Sequence, residues 1–140
     1  MHKVILMMLL AVISSSATAV WTKIVDAKDN TDGPNQGSLY SVYVDRDTMR
    51  NSNDLIKIWE LYNYQTVQQG DGVTPYLSLK VRTEYDCSRE RSREHYVAIF
   101  SENMGKGKRG GEKEYVHRWA SVSVEPDTVG TRLWKFACGR

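Results

Sequence analysis

The 140-residue sequence predicts a mainly β (α+β) fold: a single antiparallel sheet of about six strands, a short C-terminal helix packed on it, and one disulfide. Three observations predict it. From Tyr76 to Cys87 the chain alternates, with Leu77, Leu79, Val81, Thr83 and Tyr85 on one side and Ser78, Lys80, Arg82, Glu84 and Asp86 on the other. That is the period of two of a half-buried strand. The tail instead sets Val129, Leu133 and Ala137 four residues apart, a helical spacing. Finally, Cys87 and Cys138 are the two cysteines of the chain.

The first 19 residues read as a segment that directs export. Met1-His2-Lys3 precedes an apolar run from Val4 to Ile13, three serines and the small-residue triplet Ala17-Thr18-Ala19, the order of a secretory signal peptide. Ten apolar residues at helical rise cover about 15 Å, half of a hydrocarbon core of about 30 Å, so a membrane anchor fails on length. Cleavage is expected after Ala19. Residues 20–140 then form a single domain in the periplasm or outside the cell, with neither a membrane span nor a lipid anchor. In an oxidising compartment an even cysteine count favours pairing. A reactive Cys87 thiol served by His95 or His117 is the rival reading.

Within that domain Leu39 to Val44, rich in β-branched and aromatic residues, is the first expected strand, after a loop with Asp-Gly-Pro. Asp45 to Asp54 reads as a polar turn. Leu55 to Val67 places apolar residues on both faces, as a strand covered on both sides or a long bent strand would. Gln68 to Gly72 reads as a turn into the Tyr76–Cys87 strand. The polar stretch 88–94 leads to Tyr96–Phe100, and a Gly/Lys-rich connection, 105–111, leads to a strand over 115–124 with Val116, Trp119, Val122 and Val124 as core candidates. Pro126 is expected in the first turn of the tail helix. That helix would be fastened by Cys138 to the end of the strand carrying Cys87.

Charge and motif content narrow the function. Without Lys3 the chain holds 18 Lys and Arg against 17 Asp and Glu, a net of +1 that gives no reason to expect a nucleic acid partner. The distribution says more: residues 20–79 carry 5 basic and 8 acidic side chains, residues 80–118 carry 10 and 7. Such asymmetry orients a molecule near an acidic surface. Asp29-Asn30-Thr31-Asp32-Gly33 suggests a calcium loop, but its twelfth position is Tyr40 rather than the glutamate an EF-hand needs. A zinc site would need His95 and His117, isolated in sequence, to meet other ligands. No cofactor or metal is therefore expected. Nucleophile elbow, phosphate loop and H-E-x-x-H are lacking, so no catalytic residue is assigned, and Glu84 and Asp86 read as solvated. Two basic segments remain as partner-binding candidates: Arg89, Arg91 and Arg93, alternating with acids, and Lys106, Lys108 and Arg109, set among glycines.

Tyr43-Val44-Asp45, Ile56-Lys57-Ile58-Trp59, Glu84-Tyr85-Asp86-Cys87, Met104-Gly105-Lys106-Gly107, Glu125-Pro126-Asp127-Thr128 and the closing Trp134-Lys135-Phe136-Ala137-Cys138 follow one another in this order. In that order the chain resembles the surface-adhesin protein E family of Gram-negative bacteria. The resemblance implies a mostly antiparallel sheet with a short helix and a Cys87–Cys138 bond. It also implies binding of host extracellular-matrix or serum glycoproteins through the basic segment after the first cysteine, Ser88-Arg89-Glu90-Arg91 here. The expectation is an exported, non-enzymatic protein with a protein or glycoprotein partner. A periplasmic structural or inhibitor-type module, working through a sheet face or edge, is the competing reading.

Overall fold

The computed structural model describes residues 18–114, 116–122 and 125–140. Most of the expected export segment and the core candidate Val124 lie outside the described residues. Six strands form an antiparallel meander in chain order: β1 (Trp21–Lys28), β2 (Leu39–Ser52), β3 (Leu55–Gly70), β4 (Val73–Asp86), β5 (Arg91–Phe100) and β6 (Arg109–Glu114). A two-residue strand, β7 (Ala120–Ser121), pairs with the start of β5. One helix, α1 (Val129–Cys138), closes the chain.

Several elements depart from the sequence expectation, each for a local reason. β1 was not expected. A register shift between Lys23 and Val25 breaks the alternation that would have marked it. β2 continues through the stretch read as a turn, because a bulge between Asp45 and Arg50 absorbs the polar residues. The turn itself is Asn53-Asp54, both at positive φ (50° and 62°), as a tight two-residue hairpin requires. Gln68 belongs to β3, buried and bonded to Ser38 and to the Thr66 carbonyl. The strand expected over 115–124 is reduced to the two residues of β7: most of the pairing with β5 is made by β6 at 109–114, Val116 is 62% exposed, and Val122 packs against the core.

The tail helix forms where its spacing put it, with Pro126 three residues ahead of its start rather than in its first turn. Thr128 caps it by accepting a hydrogen bond from Thr131 N at 3.2 Å. Gly139 ends it at φ 68°, the left-handed conformation glycine adopts without penalty. Residues paired across neighbouring strands share a face, so Val44, Glu60, Val81 and Val97 line one side. On that side Leu133, Trp134 and Ala137 of α1 bury Val42, Val44, Ile56, Ile58 and Tyr85. The Cys87–Cys138 disulfide bolts the helix end to the residue after β4.

Candidate functional site

The helix-free face is assembled from different material. Asp45, Trp59, Arg82 and Tyr96 lie side by side across β2 to β5, and Lys57, Glu84 and Arg93 form a second row. The sheet curls around this face. Lys80 on β4 is three strands from Trp21 on β1, about 14 Å if the sheet were flat. Yet its Nζ lies 5.8 Å from the Trp21 ring centroid.

Glu84 and Asp86 correct the expectation of solvated strand residues. Both are buried, because the register with β5 brings arginines over them. Glu84 Oε2 accepts Arg93 Nε at 2.6 Å and lies 2.8 Å from His95 Nε2, while Lys57 Nζ stands 3.9 Å from Oε1. Asp86 accepts Arg91 Nε and Ser88 Oγ, both at 2.9 Å, and Arg89 N at 3.2 Å. Burial pushes the Glu84 carboxyl up, but the bonds from His95 and Arg93 and their neighbouring charges outweigh it and leave it below its ordinary value. Asp86 ends lowered by the same competition, through Arg91, Ser88 and Arg89.

The two basic segments sit at opposite ends of β5, a strand of roughly 30 Å, so they form two separate surfaces. Of the first, Arg91 and Arg93 are half-buried. Their guanidinium carbons stand 4.6 and 4.2 Å from the centroid of Trp119, clamping the 116–122 segment onto the sheet. Arg89 projects furthest, its side chain 71% exposed, with its Nη1 3.8 Å from Asp86 Oδ2. The second segment caps the β5–β6 hairpin. Lys106 and Lys108 are exposed, with no carboxylate within salt-bridge range among the described residues, whereas Arg109 bonds Glu112 at 2.6 Å.

That hairpin tip is held firmly. Asn103 to Gly105 folds back on β3 and β4: Asn103 Nδ2 donates to Asn63 Oδ1 and the Tyr64 carbonyl, Met104 N to Asn63 Oδ1, and Gly105 N to Ser78 Oγ. Met104 and Gly105 both hold positive φ (59° and 68°). A methyl at Gly105 would run into Lys80 Cε, so the glycine lets the lysine stem pass beneath the turn.

Between the tip, β1 and the bulge of β2 lies a cavity of about 520 Å³. Trp21, Trp59, Tyr96 and Phe100 supply rings, Lys80, Arg82 and Arg109 cations, and Asp45 and Glu114 acids. Sequence reasoning assigned only Arg109 of these to a site; the alternation of β4 put Lys80 and Arg82 on one face, but nothing in the chain order brings the rings and acids to them. Neither His95 nor His117 lines it. His95 is turned onto Glu84, and His117 Nδ1 stands 3.7 Å from Glu94.

The model of the surface-adhesin protein E family matches residues 21–139. No curated protein sequence matches the chain. Among solved structures, crystal form II of Haemophilus influenzae protein E aligns with a TM-score of 0.57 at 16% identity, covering 84% of this chain and 96% of that one. A second structure of Haemophilus influenzae protein E gives 0.55 at 16% identity, over 85% and 93%. Protein E from non-typeable Haemophilus influenzae gives 0.52 at 16%, over 82% and 84%. At such identity these structures share the fold. The family match, spanning nearly the whole chain, establishes that this protein belongs to the surface-adhesin protein E family.

Proposed function

We propose that this member of the family is an exported, non-enzymatic binding protein that holds an acidic protein or glycoprotein partner through the β5–β6 hairpin tip. The observation that carries the reading is the pair Lys106 and Lys108, exposed on a turn pinned to Asn63 and Ser78 and left without a salt-bridge partner among the described residues. A cation already paired must break its bond before it meets a partner; these two need not. Rigid support for the turn lowers the ordering entropy of binding. Arg89 provides a second, smaller contact at the far end of β5.

Binding through exposed charges weakens with salt, since screening acts over about 8 Å at physiological ionic strength. Pull-down from matrix or serum extracts at low and high salt tests the reading, with Lys106→Glu/Lys108→Glu as the variant. Capture retained by that variant, or unaffected by salt, overturns it. The edge strand β1, unpaired on its outer side among the described residues, favours the competing module that pairs through a sheet edge, and cell fractionation separates the two. Release by osmotic shock without surface exposure supports the module.

A further inference from the structure

We propose that the cavity on the helix-free face binds an acidic sugar, taking its carboxylate on Lys80 and Arg82 and its hydroxyls on Asp45 and Glu114. The cation side comes first. Lys80 Nζ lies 5.0 Å from the Phe100 ring centroid and 5.8 Å from that of Trp21, and no carboxylate among the described residues comes within salt-bridge range. Its ammonium is half-buried beside two rings and the overlying turn, feels the charge of Asp45 but is bonded to no carboxylate among the described residues, so an incoming anion can pair with it directly. Arg82 is similarly under-satisfied. Its Nε is buried with no hydrogen bond among the described residues, and Glu114 reaches its Nη2 only at 3.8 Å.

The acceptor side distinguishes a sugar from other anions. Asp45 is buried and uses one oxygen to accept Asp47 N at 3.1 Å, leaving the other without a hydrogen bond among the described residues. Glu114, at the rim, is largely exposed. Carboxylates beside the cations repel a multiply charged phosphate, while they accept from hydroxyls. A flat aromatic acid fits poorly as well. Arg82 already stands over Trp59 at 5.8 Å, Arg109 over Phe100 at 5.7 Å and Lys80 over Phe100 and Trp21, so these ring faces are occupied by cations. A pyranose carrying one acid group and several hydroxyls meets both sets of groups. A volume of about 520 Å³ falls in the range of small-molecule sites.

Isotope-labelled protein titrated with D-glucuronate, with D-glucose and acetate as controls, tests this through the indole N–H signals of the four tryptophans. Glucuronate is expected to move the Trp21 and Trp59 signals, leave Trp119 and Trp134 in place, and bind about tenfold tighter than either control. Lys80→Gln and Arg82→Gln, each checked for the native sheet by circular dichroism, are expected to lose about that factor. Lys106→Glu/Lys108→Glu is expected to leave it unchanged, so failure here and failure of the hairpin-tip reading are told apart. Equal binding of glucose, equal binding of acetate (an adventitious anion only), movement confined to Trp119, or no shift with glucuronate overturns the proposal.

Discussion

The two faces of the sheet bury acidic residues by opposite means, and they titrate in opposite directions as a result. On the helix-covered face Glu60 is 1% exposed and has hydroxyls rather than cations for company: Tyr85 and Tyr62 both donate to it, the latter at 3.2 Å. Burial raises its carboxyl to about 7, against the bonds from Tyr85, Thr83 and Tyr62. On the helix-free face Glu84 and Asp86 are buried beneath guanidiniums and fall below their ordinary values. The apolar face accepts a carboxyl by keeping its proton, the polar face by supplying countercharge. The main apolar cluster lies under α1 on the first, and the cations, both paired and unpaired among the described residues, lie on the second.

Loss of the disulfide should have the largest effect. It closes a separation of 51 residues, and in the chain-entropy model the Cys87→Ser/Cys138→Ser variant loses about 4 kcal/mol. Hydrogen exchange should show the tail helix opening before the sheet. An unchanged melting temperature under reducing conditions would remove the fastening role of the bond. Next, Leu133→Ala, which empties a buried position under α1, should cost about 3 kcal/mol in urea denaturation.

The sign of the pH dependence sharpens the contrast between the faces. A carboxyl whose folded pKa exceeds its unfolded value stabilises the fold fully below the unfolded value and loses that contribution as pH rises through the folded one. For Glu60 the window runs from about 4.5 to about 7, and its contribution should fall by at most about 3 kcal/mol across it. Glu84 and Asp86 act inversely, stabilising above their unfolded values and ceasing to do so as acid protonates them. Wild-type stability should therefore peak on the acid side of neutrality. Glu60→Gln should flatten the alkaline limb and leave the acid limb alone; an unflattened limb would show that another group controls it. The smallest effect is expected from Trp119→Ala, about 1 kcal/mol, read as faster exchange of the amides of 116–122.

The helix-covered face was the more legible in sequence. Its residues follow simple periods: two in Leu79, Val81, Thr83 and Tyr85, four in Val129, Leu133 and Ala137. The helix-free face hides its organisation in irregularities. Bulges after Lys23 and Asp45 erase the alternation of β1 and of the second half of β2. Ser78, Glu84 and Asp86 look solvated along β4, since what covers them comes from β5 and the hairpin tip. The basic clusters were visible as composition, but not that Arg91 and Arg93 are committed to carboxylates and Trp119 while Lys106 and Lys108 are not. The cavity required the curl that carries Trp21 across to Lys80, a tertiary event without a local signature.

The meander also sets an order of assembly. Each strand from β2 to β6 pairs with the one made just before it, so a chain emerging N-terminus first, from a ribosome or a membrane channel, can add strands one hairpin at a time. Such sequence-near contacts shorten the conformational search. Cys87 is the exception, since its partner arrives 51 residues later. Until then its thiol stands at the end of the β4 strand, open to exchange with any disulfide it meets, and the fidelity of pairing depends on how long the tail takes to appear.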